Sequence, residues 1–219
     1  SVVLVAVISL LTILYCTNKH SVVFYSDTGD ILLIDEVTSF KQATPPIEPE
    51  MSYGQIFKSW DTDFSSVKKD LEIHPETESF SGKANVFALP GAYGNVGDYI
   101  TVPLKLCGEV CLSGFDISVK YDSNILELES VFDEDGAIVY NSEKPGEIRI
   151  NYVSLGNTTA DVDICSFKFK VKETTNTDLS IEVKSVYANK TEVELYKPET
   201  NLINSSVFVI SGKNGDSNE

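Results

Sequence analysis

The chain has 219 residues, and 17 Lys and Arg set against 33 Asp and Glu leave a formal net charge of -16 at pH 7. That length suffices for two small domains, each burying its own core. The acid excess repels phosphate backbones and anionic lipid alike, which excludes nucleic acid as a partner.

The first stretch, SVVLVAVISLLTILYC, is free of charge and falls a little short of the roughly 20 residues that cross a bilayer. It opens without a methionine, Met51 being the only one. Residues 1–20 therefore read as the hydrophobic core of a signal peptide or signal anchor begun upstream. Anchor is the favoured form, because no small-x-small cleavage site follows. A helix is expected here, with the rest of the chain outside the cell. Low cysteine and high acid suit a Gram-positive surface protein. The sequons at Asn157, Asn189 and Asn204 point to a glycosylated eukaryotic protein instead, but such triplets arise by chance in chains rich in Asn and Thr.

Residues 21–75 form the first module. VVFYSDTGDILLIDEV reads as a β-hairpin turning at Asp27-Thr28-Gly29. ATPPIEPE continues neither a helix nor a central strand, since Pro45, Pro46 and Pro49 bring no backbone donors. Phe57 and Trp60 then precede a polar turn and the closing alternation Leu71, Ile73. Val22-x-Phe24, the Asp-x-Gly turn, Pro46-x-x-Pro49, Phe57-x-x-Trp60-Asp61 and Phe64-x-x-Val67-x-x-Asp70-Leu71 resemble the Listeria-Bacteroides, or internalin B-type, repeat. The resemblance implies a small β-grasp-like module acting as a spacer or adhesive segment. Tyr53-Gly54 stands in the reverse of that family's usual order.

Residues 76–83, ETESFSGK, are polar and aperiodic and read as a linker. From 84 to 211 short runs of period-two alternation are separated by Gly, Asn, Asp and Pro, with no helical period, which makes this part an all-β sandwich. Residues 212–219 are turn formers without apolar partners and read as a flexible tail.

Within the sandwich, GFDISVKY places Phe115, Ile117, Val119 and Tyr121 on one face and Asp116, Ser118 and Lys120 on the other. Asp122 and Asn124 then suit a turn that bonds its own backbone. EIRINYVSL repeats the device, with Ile148, Ile150 and Tyr152 inward and Arg149, Asn151 and Val153 outward. An outward aspartate fixed by a rigid strand accepts charge-assisted hydrogen bonds without first being ordered.

Gly97-Asp98-x-x-x-Val102-Pro103, Tyr121-Asp122-x-x-x-Leu126-x-Leu128-x-x-Val131 and Phe167-x-Phe169-x-Val171, in that order, resemble the cohesin family. The resemblance implies a nine-stranded jelly roll that is not an enzyme but binds dockerin modules, recruiting dockerin-bearing, polysaccharide-degrading enzymes to a scaffoldin or cell surface. It implies no cofactor in this chain, calcium belonging to the dockerin. Asp116 matches the aspartate that hydrogen-bonds a dockerin helix, and Gly114 the position two residues earlier, with Ser118 on the same outward strand face. Arg149 and Asn151 fall where many cohesins carry an apolar outward pair, Val153 lies beside them, and Ser154 and Asn157 fall in the following loop. Tyr140 matches a contact tyrosine.

Other classes fit less well. Asp and Glu occupy turns and outward strand positions, with no Ser/His or Cys/His grouping, so catalysis is not expected. The cysteines at 16, 107, 111 and 165 have no metal-ligand spacing, and His20 and His74 lie elsewhere, so no metal site is expected. Cys107 and Cys111 suit a small disulfide and two thiols equally. A glycan-binding or adhesive surface module is the alternative function, with Tyr93, Tyr187 and Tyr196 as its candidate contacts.

Overall fold

A computed structural model of the chain describes residues 18–47, 49–133, 136–158, 162–189 and 194–210, without the side chains of 155–158. The expected hydrophobic helix and the tail lie outside the described residues, apart from Asn18, Lys19 and His20, which lead into or begin the first strand. Among the described residues no helix is long and apolar enough to cross a membrane. The described residues form two compact units: those of 18–52 with 60–76 and 210, and those of 53–59 with 77–209.

The first five strands are β1 (Lys19–Tyr25), β2 (Ile31–Thr38), β3 (Gln55–Trp60), β4 (Leu71–Ile73) and β5 (Pro75–Ser79). In the first unit β1 pairs antiparallel with β2 and parallel with β4. The turn between β1 and β2 is closed by Ser26 N–H donating to the Asp30 carbonyl at 2.7 Å, with Gly29 at φ 89°. Val22 and Phe24 are fully buried and alternate with half-buried neighbours, so β1 turns one face to the core. There Phe24 meets the edges of Trp60 and Phe64 at centroid distances of 5.1 and 5.3 Å. Where a β-grasp-like module was expected, the described residues form a three-stranded mixed sheet and include no helix.

The second unit differs from the expected boundaries. Residues 53–59 belong to it, and β5 and its pairing with β3 occupy part of the expected linker 76–83. The cause is apolar burial joined to a backbone approach. Ile56 and Phe80 share a buried cluster with Val86, Ala88, Cys107 and Ile203. Gly91 N–H donates to the Phe57 carbonyl at 2.8 Å, and a Cβ on Gly91 would lie 2.0 Å from the Lys58 carbonyl oxygen, an approach only glycine permits.

The sandwich adds β6 (Val86–Ala88), β7 (Ala92–Gly94), β8 (Tyr99–Cys107), β9 (Leu112–Lys120), β10 (Leu126–Phe132) and β11 (Ile138–Asn141). There follow β12 (Glu147–Thr158), β13 (Val162–Val171), β14 (Thr177–Asn189), β15 (Leu195–Tyr196), β16 (Asn201–Ile203) and β17 (Ser205–Val209). One sheet has the order β10-β13-β8-β6-β16; the other runs β11-β12-β9-β14-β17-β7, with β15 on β14. Their inner faces enclose one core, where Phe87 meets Phe115 edge-on at 5.1 Å and Tyr121 packs on Phe169 at 5.0 Å.

Twelve strands of this part are described, where nine were expected. At Leu89-Pro90-Gly91 the chain leaves one sheet for the other, so β6 pairs with β8 and β16 while β7 pairs with β17. Pro90 cannot extend a ladder, which fixes the break there. The end of the chain divides likewise at Asn204, and β15 is a short addition. No disulfide joins Cys107 and Cys111, which are thiols.

Ile56→Ala tests the shared core. It is expected to lower the unfolding free energy of the sandwich by about 3 kcal/mol in urea denaturation. A change confined to the first unit's transition would place β3 outside the sandwich.

Candidate functional site

β9 lies mid-sheet, paired antiparallel with β12 on one edge and β14 on the other. Residues opposite one another in an antiparallel ladder project to the same side. Asn151 and Ser185 flank Asp116, Val153 and Tyr187 flank Gly114, and Arg149 and Glu182 flank Ser118. The next strand outward, β11, sets Val139 beside Asn151. Gly114, Asp116, Arg149, Asn151 and Val153 therefore share one sheet face, as the alternation predicts.

That face is graded along the strands. At one end Gly114 is a bare backbone floor; a Cβ there would come within 3.0 Å of the Tyr152 carbonyl oxygen. Beside it stand Val153, 84% exposed, and Tyr187, while Val139, 73% exposed, lies one row along beside Asn151. In the middle Arg149 grips Asp116 as a fork, Nε donating to Oδ1 at 2.9 Å and Nη2 to Oδ2 at 2.5 Å. The guanidinium holds the Asp116 carboxyl below the usual carboxylate range, with Lys184 adding to the effect against partial desolvation. Lys184 arrives where the β14 register shifts between Val183 and Ser185. At the far end an ion-pair chain runs from Lys184 to Glu182, on to Lys120 at 3.6 Å, then to Glu147, which Lys144 meets at 2.8 Å. Hydrogen bonds from Lys120 and Lys144 push the Glu147 carboxyl down to about 2.

Three expected contacts are corrected by these positions. Ser118 is 0% exposed, set beneath the long side chains that flank it, so it supports the face without reaching a partner. Tyr140 pairs with Ile150, which is buried in the core, and so projects toward the opposite side from Asp116 at the sheet edge. Ser154 lies in β12, not in a loop, and by alternation with Val153 turns away from the face. Asn157 is also in β12, with its side chain outside the described set. Sequence reading missed Val139 as an apolar member of the face and treated Tyr187 only as a sugar contact. Both become visible only through strand register. Among the glycan candidates, Tyr93 stacks on Phe208 at 4.8 Å, and Tyr196 lies in β15, away from Tyr93 in strand order.

No His/Cys/Asp/Glu group that could hold a metal ion occurs among the described residues. The face offers hydrogen-bond acceptors, donors and apolar area on a rigid plane.

A family model described as the cohesin domain matches residues 86–202. The seventh ScaB type I cohesin from Pseudobacteroides cellulosolvens superposes with a TM-score of 0.54 at 19% identity, covering 61% of this chain and 97% of that one. A chain of a type I cohesin-dockerin complex from Clostridium thermocellum gives 0.51 at 16% identity, covering 58% and 99%. The non-cellulosomal cohesin of the archaeon Archaeoglobus fulgidus gives 0.51 at 18%, covering 58% and 92%. No curated protein matches the sequence.

Lys120→Ala is expected to raise the titration midpoint of Glu147 from about 2 toward its ordinary value of 4.5, read by NMR of the side-chain carboxyl. A depressed carboxyl stabilises the fold above its unfolded value and loses that contribution as pH falls through its folded one. The native chain should therefore shed this contribution between about pH 4.5 and 2, and the variant should show less loss over that window.

Proposed function

This chain belongs to the cohesin family, and on that premise we propose that it docks dockerin modules on the outward face of β11, β12, β9 and β14 and catalyses no reaction. Cohesins are protein-binding modules, and the C. thermocellum relative was crystallised with a dockerin. The observation that carries the reading is the fork from Arg149 to Asp116 at the centre of an open, register-locked plane. A carboxylate has about four lone-pair sites, and the fork takes two, so Asp116 keeps acceptor capacity for a partner's Ser, Thr or Lys while its rotamer is already fixed. Gly114 lets a partner helix approach the backbone, and Val153, Val139 and Tyr187 supply apolar area beside it.

Dockerin-bearing enzymes that degrade polysaccharides are the proposed cargo, with calcium in the dockerin. The first unit serves as a spacer of the Listeria-Bacteroides repeat type, and residues 1–20 tether the chain at a bacterial cell surface. Arg149 and Asn151, in place of an apolar pair, make the face more polar and select a partner carrying complementary hydrogen-bonding groups.

Capture from the secretome of the source organism with the whole chain as bait, with and without a calcium chelator, tests the class. Chelator-sensitive retention of a dockerin-bearing protein supports it; retention of none refutes it. In isothermal titration with the captured partner, Asp116→Ala should cost on the order of 1 to 3 kcal/mol and Asp116→Arg more, with melting unchanged. Equal affinity for both variants would remove Asp116 from the contact.

A further inference from the structure

The opposite outer face, on β10, β13 and β8, has a different chemistry. Three rows of outward residues are set by register. Phe132 and Ser166 form one, opposite the buried Pro103; Ser130, Lys168 and Thr101 form the next, and Glu127, Lys170 and Tyr99 the third. A bulge at Glu129, between Leu128 and Ser130, keeps Leu128 and Val131 inward and so turns Phe132 out. Phe132 is 65% exposed and Tyr99 51%, large values for aromatic rings on a sheet. Thr101, Ser130, Phe132, Ser166 and Lys168 line an open depression of about 340 Å³.

Lys168 stands at the centre, its Nζ 4.7 Å from the Tyr99 ring centroid, and the Lys170 Nζ is 6.0 Å from the same ring. Among the described residues neither lysine makes a salt bridge, whereas Lys105 nearby is paired with Asp163 at 2.7 Å. On a chain of net charge -16, Lys168 is a cation with no carboxylate opposite it in the ladder, whereas Lys170 stands opposite Glu127. Screening over about 8 Å at physiological salt lets this patch act apart from the bulk charge.

We propose that this depression is a second binding site, for a polysaccharide carrying carboxylate groups. Phe132 supplies a flat apolar ring for the C–H face of a sugar. The hydroxyls of Thr101, Ser130 and Ser166 exchange hydrogen bonds with its hydroxyls, and Lys168 meets the carboxylate. A neutral glycan would leave Lys168 unpaired, and a plain polyanion would make no use of the aromatic ring or the three hydroxyls.

The whole chain is titrated by affinity electrophoresis with polygalacturonate, with its methyl ester and with polyglutamate. Polygalacturonate should retard the protein at least about tenfold more strongly than either of the others. Phe132→Ala and Lys168→Gln should each weaken that retardation by about tenfold, while Asp116→Arg leaves it unchanged. No retardation by polygalacturonate, equal retardation by the ester or by polyglutamate, or wild-type behaviour in both variants would each overturn the site. Because Asp116 lies on the other sheet, this result and the fate of the dockerin reading are read separately.

Discussion

The double-edged pairing of β9 is the constraint on which the molecule depends. A strand hydrogen-bonded along both edges cannot slip by one residue without sending Phe115, Ile117 and Val119 to solvent and Asp116 to the core. Such a slip would expose three buried side chains, each contributing roughly 1.5 to 3 kcal/mol by burial, and would place a carboxylate among hydrocarbons. The register is therefore held from inside. What it holds on the outside is a plane in which Asp116 and Arg149 meet as a fork across neighbouring strands. The acceptor is thus oriented by the core beneath it, so that little ordering remains for a binding event to impose.

The two outer faces illustrate how one sandwich carries two kinds of surface. On one, charges are satisfied within the sheet, by the fork and by the chain of ion pairs from Lys184 to Lys144. Exposed ion pairs of that sort add little stability, but they fix side chains and remove loose charge. On the other, Lys168 and Lys170 lean on an aromatic ring and make no salt bridge among the described residues, with Glu127 opposite Lys170 and no carboxylate opposite Lys168. The difference lies in the cross-strand neighbours, since Lys120 stands opposite Glu147 while Lys168 stands between Ser130 and Thr101.

The sandwich and its central strands were legible because period-two alternation is a direct record of inside and outside. Ile117, Val119, Ile148 and Ile150 behave as their spacing says, and Asp122 caps its own turn through a 2.8 Å bond to Asn124 N–H. Membership of a face was less legible. Val139 and Tyr140 differ by one position, and only the pairing of β11 with β12 decides which of them joins Asp116. Ser118 has the right parity but lies too deep, because depth depends on the length of neighbouring side chains that alternation does not encode. Residues 76–83 looked like a linker because backbone pairing has no apolar signature, and Phe80 alone gave no period.

The chain's path through the sandwich has a consequence for modular inheritance. Residues 53–59 enter it, the chain departs for residues 60–76, and it returns at residue 77, so the two units are interleaved in sequence like shuffled cards. A recombination crossover at the polar stretch after Pro75 would sever the recipient sandwich from Ile56 and leave the niche beside Gly91 empty. Duplication or transplantation of this sandwich would thus have to carry its upstream neighbour along, binding the two units to a single hereditary fate.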